Sequence, residues 1–390
     1  MNNLENILFE GKKITNVMSN NNNIQDINDE IYDIKFNELE NENVNIENDD
    51  DLYLESYKKY KDDFINEEIQ IEPILSTENS RYAIYPIQYK TIWDNYKKQL
   101  QNNWVIEEVD LSKDKLDWEN KLSCNDRKFI MYVLAFFASA DGLVNSNLKK
   151  NLLDLVKIKE AECAYSKQFE MENAHGEMYS QMLDEFVKDE QLKNKLINSI
   201  KTMPTIKKKM LWYKEWIDGD KSFAHKLIAS AIVEGIFFSG SFASIFWLKT
   251  RPDKIMRGFI KSNKFISRDE NLHTDLAYSL YRLLKNKLKE SVIYQMVDEA
   301  VNIEDEFINE SLPCRLLGMN AELMSQYIRY VADRLLVMLE CKKKYNVKNP
   351  FEYMKKIDTF VKSNFFEERN DTYSDGKINN PRIFIKLNRC

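Results

Sequence analysis

The sequence predicts an all-α protein, a bundle of long helices flanked by polar segments, and three observations carry that prediction. Glycine and proline number only 9 and 7 in 390 residues, too few for the many tight turns of all-β or doubly wound α/β folds. From about residue 78 to about residue 360, apolar residues recur at intervals of three and four. Few windows alternate with period two, so little sheet is expected. Finally, a carboxylate set in an apolar helix and followed by Glu-x-x-His occurs twice.

Residues 1–76 are rich in Asn, Asp and Glu, as in NNNIQDINDE and ENENVNIENDDD. Such a segment buries too little apolar surface to offset its ordering entropy and is expected to be mostly disordered. At about 100–200 residues per domain the length alone would allow two units. The polar first quarter reduces the folded part to one domain, 77–360. Within it Leu134, Phe137, Asp141, Val144 and Leu148 fall on one face of a helix over 127–150. Further helices are predicted at 151–187, 205–217, 222–249, 266–286, 288–310 and 320–344. Residues 361–390, with the aperiodic NDTYSDGKINNPRIFIKLNRC, read as a flexible tail.

The formal net charge of -7 favours solubility and gives no reason to expect nucleic acid as a partner. Cys124, Cys163, Cys314, Cys341 and Cys390 are scattered, odd in number and without CxxC spacing. They suit free thiols in a reducing compartment, so the cytoplasm is expected. No charged-then-apolar signal pattern opens the chain. Residues 227–248, LIASAIVEGIFFSGSFASIFWL, are long and apolar enough to span a bilayer. A membrane would place Glu234 in hydrocarbon, which is costly. A helix buried in a bundle explains the same apolarity, and no membrane contact is expected.

The chain has three histidines, and two of them close Glu-x-x-His: Glu172 to His175 and Glu270 to His273. Positions i and i+3 share a helix face, so each pair can offer a carboxylate and an imidazole to one cation. Asp141 precedes Glu172 by 31 residues and Glu234 precedes Glu270 by 36, intervals that suit neighbouring antiparallel helices. Asp141 and Glu234 lie on faces that should be buried, where an unpaired carboxylate costs several kcal/mol or protonates. Lys or Arg could compensate them, but neither flanking apolar run contains one. Two divalent ions could also do so. Four carboxylates and two imidazoles suit iron or manganese better than zinc. One carboxylate from each of two helices and Glu-x-x-His from two others is the signature of ferritin-like di-iron carboxylate bundles.

Tyr179 follows His175 by four and Glu172 by seven, on the same face. It could lose an electron and a proton to an oxygen-activating centre, or be a core tyrosine bonded to a ligand carboxylate. Phe238 and Phe242, four and eight residues after Glu234, could line a dry pocket around its ring or be ordinary core aromatics.

Over about residues 78–373 the chain resembles the small subunit of class I ribonucleotide reductases. The stretches that carry the resemblance are YPIQYKTIWDNYKK, EEVDLSKD, VLAFFASADGLVN, MENAHGEMYS, VEGIFFSGSFASIFWLK, ISRDENLH and NFFEER. It implies that Asp141, Glu172 and His175 bind one iron and Glu234, Glu270 and His273 the other, with carboxylates and an oxygen bridging them. Manganese is the other candidate. It implies a tyrosyl radical at Tyr179, relayed through Trp104, Asp269 and Tyr373 to a cysteine on a separate large catalytic subunit. That subunit binds the ribonucleoside diphosphate and removes its 2'-hydroxyl, and no phosphate-cradling Gly-rich loop is found here. A homodimer, or a heterodimer with another small subunit, is implied as well.

Three departures bear on these roles. Lys167 and Glu170 stand where the family is usually apolar, and Glu170, two residues from a ligand, should point away from the metals. His225, nine residues before Glu234, is expected to be structural or at the surface, not a ligand. The chain ends in IFIKLNRC instead of the family's short acidic, aromatic-tipped peptide that docks on the large subunit. Two readings follow: a working radical-generating subunit, or a divergent partner small subunit with a structural or regulatory role in a heterodimer.

Overall fold

The apolar stripes of the sequence are covered by one another. The computed structural model describes residues 72–218, 221–311 and 319–354. The expected N-terminal extension up to residue 71, the tail beyond 354 with Tyr373, and Cys314 and Cys390 lie outside the described residues. Among those described there are helices and turns but no strand, and the all-α expectation is met.

The helices are α1 (Lys90–Gln101), α2 (Ser112–Asn120), α3 (Cys124–Asn147), α4 (Lys159–Phe186), α5 (Glu190–Ile197) and α6 (Ser199–Thr202). They continue as α7 (Pro204–Ile217), α8 (Phe223–Ile232), α9 (Ser239–Leu248), α10 (Arg257–Leu283), α11 (Glu290–Glu306) and α12 (Ala321–Met338). Wider π turns follow α3 at Leu148–Leu153, join α8 to α9 at Val233–Phe237, and follow α11 at Phe307–Ser311. In these the hydrogen bonds skip five residues instead of four.

Local chemistry sets the helix starts. Ser123 Oγ accepts from the Asp126 amide, and Asp126 returns the bond to the Ser123 amide, a reciprocal cap on α3. Pro204 opens α7 at a position where its missing N–H costs nothing. The start of α10 is held from α2: Asp117 accepts from the Met256 amide and Asp114 from the Phe259 amide, each at 3.0 Å. Met256 is left-handed, with φ of 53°, a conformation that those two bonds help fix.

Four rods surround the centre: α3, α4, the α8–α9 rod and α10. Helix α3 packs on α4, α8 on α10, and α4 and α10 also meet, with α1 against both. Leu134, Phe137, Asp141 and Val144 on α3 and Leu148 at the start of the π turn are all buried, as the face read from sequence requires. The apolar 223–248 rod has 89% of its most apolar window buried within the protein, so protein packing accounts for its composition.

Several boundaries differ from the sequence reading. Helix α4 starts at Lys159, because 148–153 winds as a π turn and 154–158 turns the chain. Helix α10 begins at Arg257, nine residues before 266, and α12 stops at Met338. Packed structure also begins ahead of residue 77. Ile74 and Leu75 are buried, and Glu72 accepts the amides of Lys285 and Asn286 beyond the end of α10.

Candidate metal centre

Asp141 comes from α3, Glu172 and His175 from α4, Glu234 from the π turn between α8 and α9, and Glu270 and His273 from α10. All six are buried. Their ligating atoms fall into two groups, each within 4.8 Å: Asp141, Glu172 and His175, and Glu172, Glu234, Glu270 and His273. Glu172 belongs to both, as a bridging carboxylate would. His175 Nδ1 lies 3.5 Å from Glu172 Oε2 and 3.0 Å from Glu270 Oε1. His273 Nδ1 lies 3.0 Å from Glu172 Oε1 and 3.3 Å from Glu270 Oε2.

The donors fit a pair of divalent cations. Both oxygens of Asp141 and of Glu172, Glu270 Oε1 and His175 Nδ1 are buried without a hydrogen-bond partner. The ring nitrogens are close to carboxylates but mostly misaligned for hydrogen bonding. Buried carboxylates normally find partners, and orphans converging on one another point to a cation. The alternative of ion pairing with Lys or Arg is not realised at Asp141, since neither oxygen has a partner.

The electrostatics are those of a crowded acidic cage. Burial and the charge of Glu172 push Asp141 well above the ordinary carboxylate range. Burial, with the charges of Glu270 and Glu172, does the same to Glu234. Burial also opposes ionisation of Glu172, but the His175 and His273 imidazoles close beside it outweigh burial and hold the group down to about 2. Burial alone would lower the imidazoles. Instead Asp269, Glu172 and Glu270 raise His175 well above its usual value, and Glu172 and Glu270 lift His273 to about 10. Carboxylates pushed up beside imidazoles pushed up mark a site short of positive charge, which bound cations would supply.

Trp104 and Asp269 meet at this centre. Trp104 Nε1 donates to Asp269 Oδ2 at 2.7 Å, and the same oxygen lies 3.2 Å from His175 Nε2. Asp269 thereby turns His175 Nδ1 toward the cage. The Trp104 ring is buried, roughly parallel to His175 with centroids 6.2 Å apart. The loop before it is tied by Arg268 to the Asn102 carbonyl and by Lys167 to the Asn103 side chain.

Tyr179 is fully buried, and its hydroxyl donates to Asn263 Oδ1 at 2.9 Å, not to a ligand carboxylate. Phe137 stacks on its ring at 4.8 Å and 4°. Phe238 and Phe242 pack on Phe137 in turn, forming the outer layer of that wall. Burial, then the charge of Asp141, raises the phenol far above its ordinary value.

Three partners escaped the sequence reading: Asn263, Phe137, and Gln168, whose Nε2 donates to Glu234 Oε1 at 2.9 Å. Each shares a helix face with a cage residue, Phe137 four before Asp141, Gln168 four before Glu172 and Asn263 seven before Glu270, but that spacing fits ordinary core equally well. His225 belongs to neither ligand group. It stacks on Trp216 and meets Ser222 at the start of α8. Lys167 is buried and pairs at 3.0 Å with Glu170, whose side chain is 68% exposed and turned away from the cage. Tyr373 lies outside the described residues.

A cavity of about 370 Å³ reaches Glu234 and Glu270, with Phe242, Thr274, Tyr278 and Arg334 in its wall.

Comparison with known proteins gives one answer. Residues 81–350 match the family described as the ribonucleotide reductase small chain. The ribonucleoside-diphosphate reductase small chain of Acanthamoeba polyphaga mimivirus is 65% identical over 87% of this chain and 81% of its own. The small subunit of Dictyostelium discoideum is 52% identical over 78% of this chain and 89% of its own. Among solved structures, the ribonucleotide reductase Rnr4 homodimer from Saccharomyces cerevisiae superposes with a TM-score of 0.69 at 34% identity, covering 83% of this chain and 99% of that one.

Proposed function

The chain belongs to the ribonucleotide reductase small-chain family, and on that premise we propose that it is a working radical-holding subunit, with two irons in the cage and the oxidising equivalent kept on Tyr179. The observation that carries this reading is the sharing of Glu172 by two buried ligand groups on the helix that also bears Tyr179. When bound, the metal pair supplies the oxygen-dependent redox chemistry that side chains lack. Asp141, Glu172 and His175 would hold one ion and Glu234, Glu270 and His273 the other, and Glu172 is near enough to both groups to serve either. Manganese fits the same oxygen-rich donors.

The remaining work belongs to the chain. Burial raises the Tyr179 phenol further above neutrality, so it stands in the site as a neutral O–H donating to Asn263. Asn263 fixes the direction of the hydroxyl, and the Phe137 layer keeps water and reductants off the ring. Trp104 and Asp269 form a hydrogen-bonded line from His175 outward, and we assign them the relay. Tyr373 is proposed as its last member on this chain.

The partner is a large subunit that binds and reduces the ribonucleoside diphosphate, and the likeness to the Rnr4 homodimer supports dimerisation. The cytoplasm is proposed as the place of action, in keeping with the free thiols of Cys124, Cys163 and Cys341. The test is nucleotide reduction by the metal-loaded chain mixed with a large subunit, with His175→Ala as the inactive control. If the chain gave no reduction by itself, yet raised the activity of another small subunit, the divergent-partner reading would replace this one.

A further inference from the structure

Lys209 on α7 and Glu304 on α11 are fully buried and paired with each other. The Lys209 ammonium also lies 4.0 Å from the Phe136 ring centre and 3.5 Å from that of Phe307. Its fourth contact is the informative one: Nζ donates to the Phe237 carbonyl at 3.0 Å. Phe237 closes the π turn that carries Glu234. The carbonyl before it, Ile236, accepts from Ser239 Oγ at 2.7 Å. Glu304 sits against the same rod, where a Cβ on Gly240 would meet its Oε1 at 2.4 Å.

A buried ion pair is a poor device for stability, since apolar residues of similar volume commonly do as well or better. An ammonium can do one thing here that an apolar side chain cannot, which is to donate to a carbonyl where the helix changes period. Within the π turn the Phe238 amide bonds the Val233 carbonyl, five residues back. If the turn relaxed to ordinary α spacing, Glu234 would rotate against α9 by about 100°, the angle of one residue. We infer that Lys209, held in place by Glu304, is a positioning residue that locks this π turn so that Glu234 faces the second cation position. The inference rests on the reading of Glu234 as a ligand.

The test is an anaerobic Mn(II) titration of the full, metal-free chain, following free Mn(II) by EPR. Wild type should bind about two ions per chain. The variant Lys209→Met with Glu304→Leu removes both charges together, so neither is left buried alone. It should fold, keep one tight site, and bind the second ion about 10–100-fold more weakly. Glu304→Gln keeps an oxygen acceptor of the same size beside the Lys209 ammonium, so the bond to the Phe237 carbonyl should persist and both ions should bind like wild type. Two unchanged sites in the folded double variant would overturn the inference alone. So would failure of the double variant to fold, which would assign the pair to folding. Loss of the second site in Glu304→Gln as complete as in the double variant would overturn it too. A wild type that binds no ion would remove the di-metal reading, and the inference with it.

Discussion

The Tyr179 hydroxyl is donated to a neutral amide, Asn263, while its ring lies flat on Phe137. No charge-assisted bond holds the phenol, so its protection comes from exclusion of water. Trp104 contributes differently, through one N–H to Asp269. Trp104→Phe should leave metal binding and a Tyr179 radical intact while nucleotide reduction with the large subunit falls by about 10–100-fold or more. Parallel EPR and turnover assays check this, and a fall in both would place Trp104 in assembly of the centre instead. The six residues that converge on the cage were legible in the sequence because histidine is scarce and the i,i+3 spacing repeats. Asn263, Phe137 and Gln168 were not, since an amide or a phenylalanine in a long helix carries no spacing that sets it apart from core or surface.

At the scale of elements, α10 supplies Asp269, Glu270 and His273, and its start is fastened to α2. Burial pushes Asp114 up to about 7, against the amides of Phe259 and Gly258, which lower it. A group raised in the folded state favours folding most below its ordinary value, and that contribution is lost as pH rises through about 7. Asp114→Asn keeps an acceptor for the Phe259 amide but cannot titrate. Relative to this variant, wild type should lose stability on the order of a few kcal/mol between about pH 4 and pH 7. Urea unfolding across that range checks the sign, and a constant difference would show that Asp114 does not titrate there. Gly258 is needed for the same junction, because a Cβ would lie 2.2 Å from Asp114 Oδ2 and 2.5 Å from the Asp110 carbonyl. Gly258→Ala should therefore cost about 1–3 kcal/mol, measured the same way. Most long helices could be read from their apolar period. The π turns at 148–153, 233–237 and 307–311 could not, since a change of hydrogen-bond period leaves no mark in composition. Helix α2, SKDKLDWEN, lacks a clear apolar stripe and is set by Asp114 and Asp117 bonding to α10.

For the whole molecule, the four rods enclose a cage in which both oxygens of Asp141 and of Glu172 lack a hydrogen-bond partner. Metal binding and folding should therefore be linked. With free metal at a thousandfold excess over its dissociation constant, each site should add about 4 kcal/mol to stability. Calorimetric unfolding of metal-free and loaded protein tests this, and coincident melting curves would deny that the cage binds cations in the folded state. Free thiols, one helical bundle and similarity over most of the chain to ribonucleoside-diphosphate reductase small chains describe the same molecule. The cage and Tyr179 should work as one unit, and reconstitution tests this most directly. The chain would be loaded anaerobically with Fe(II), exposed to oxygen, and examined by EPR beside Tyr179→Phe. A tyrosyl signal in wild type, with about two irons per chain, and no such signal in the equally loaded variant is the predicted result. Loaded wild type without a tyrosyl signal, or a signal that persists in Tyr179→Phe, would contradict it.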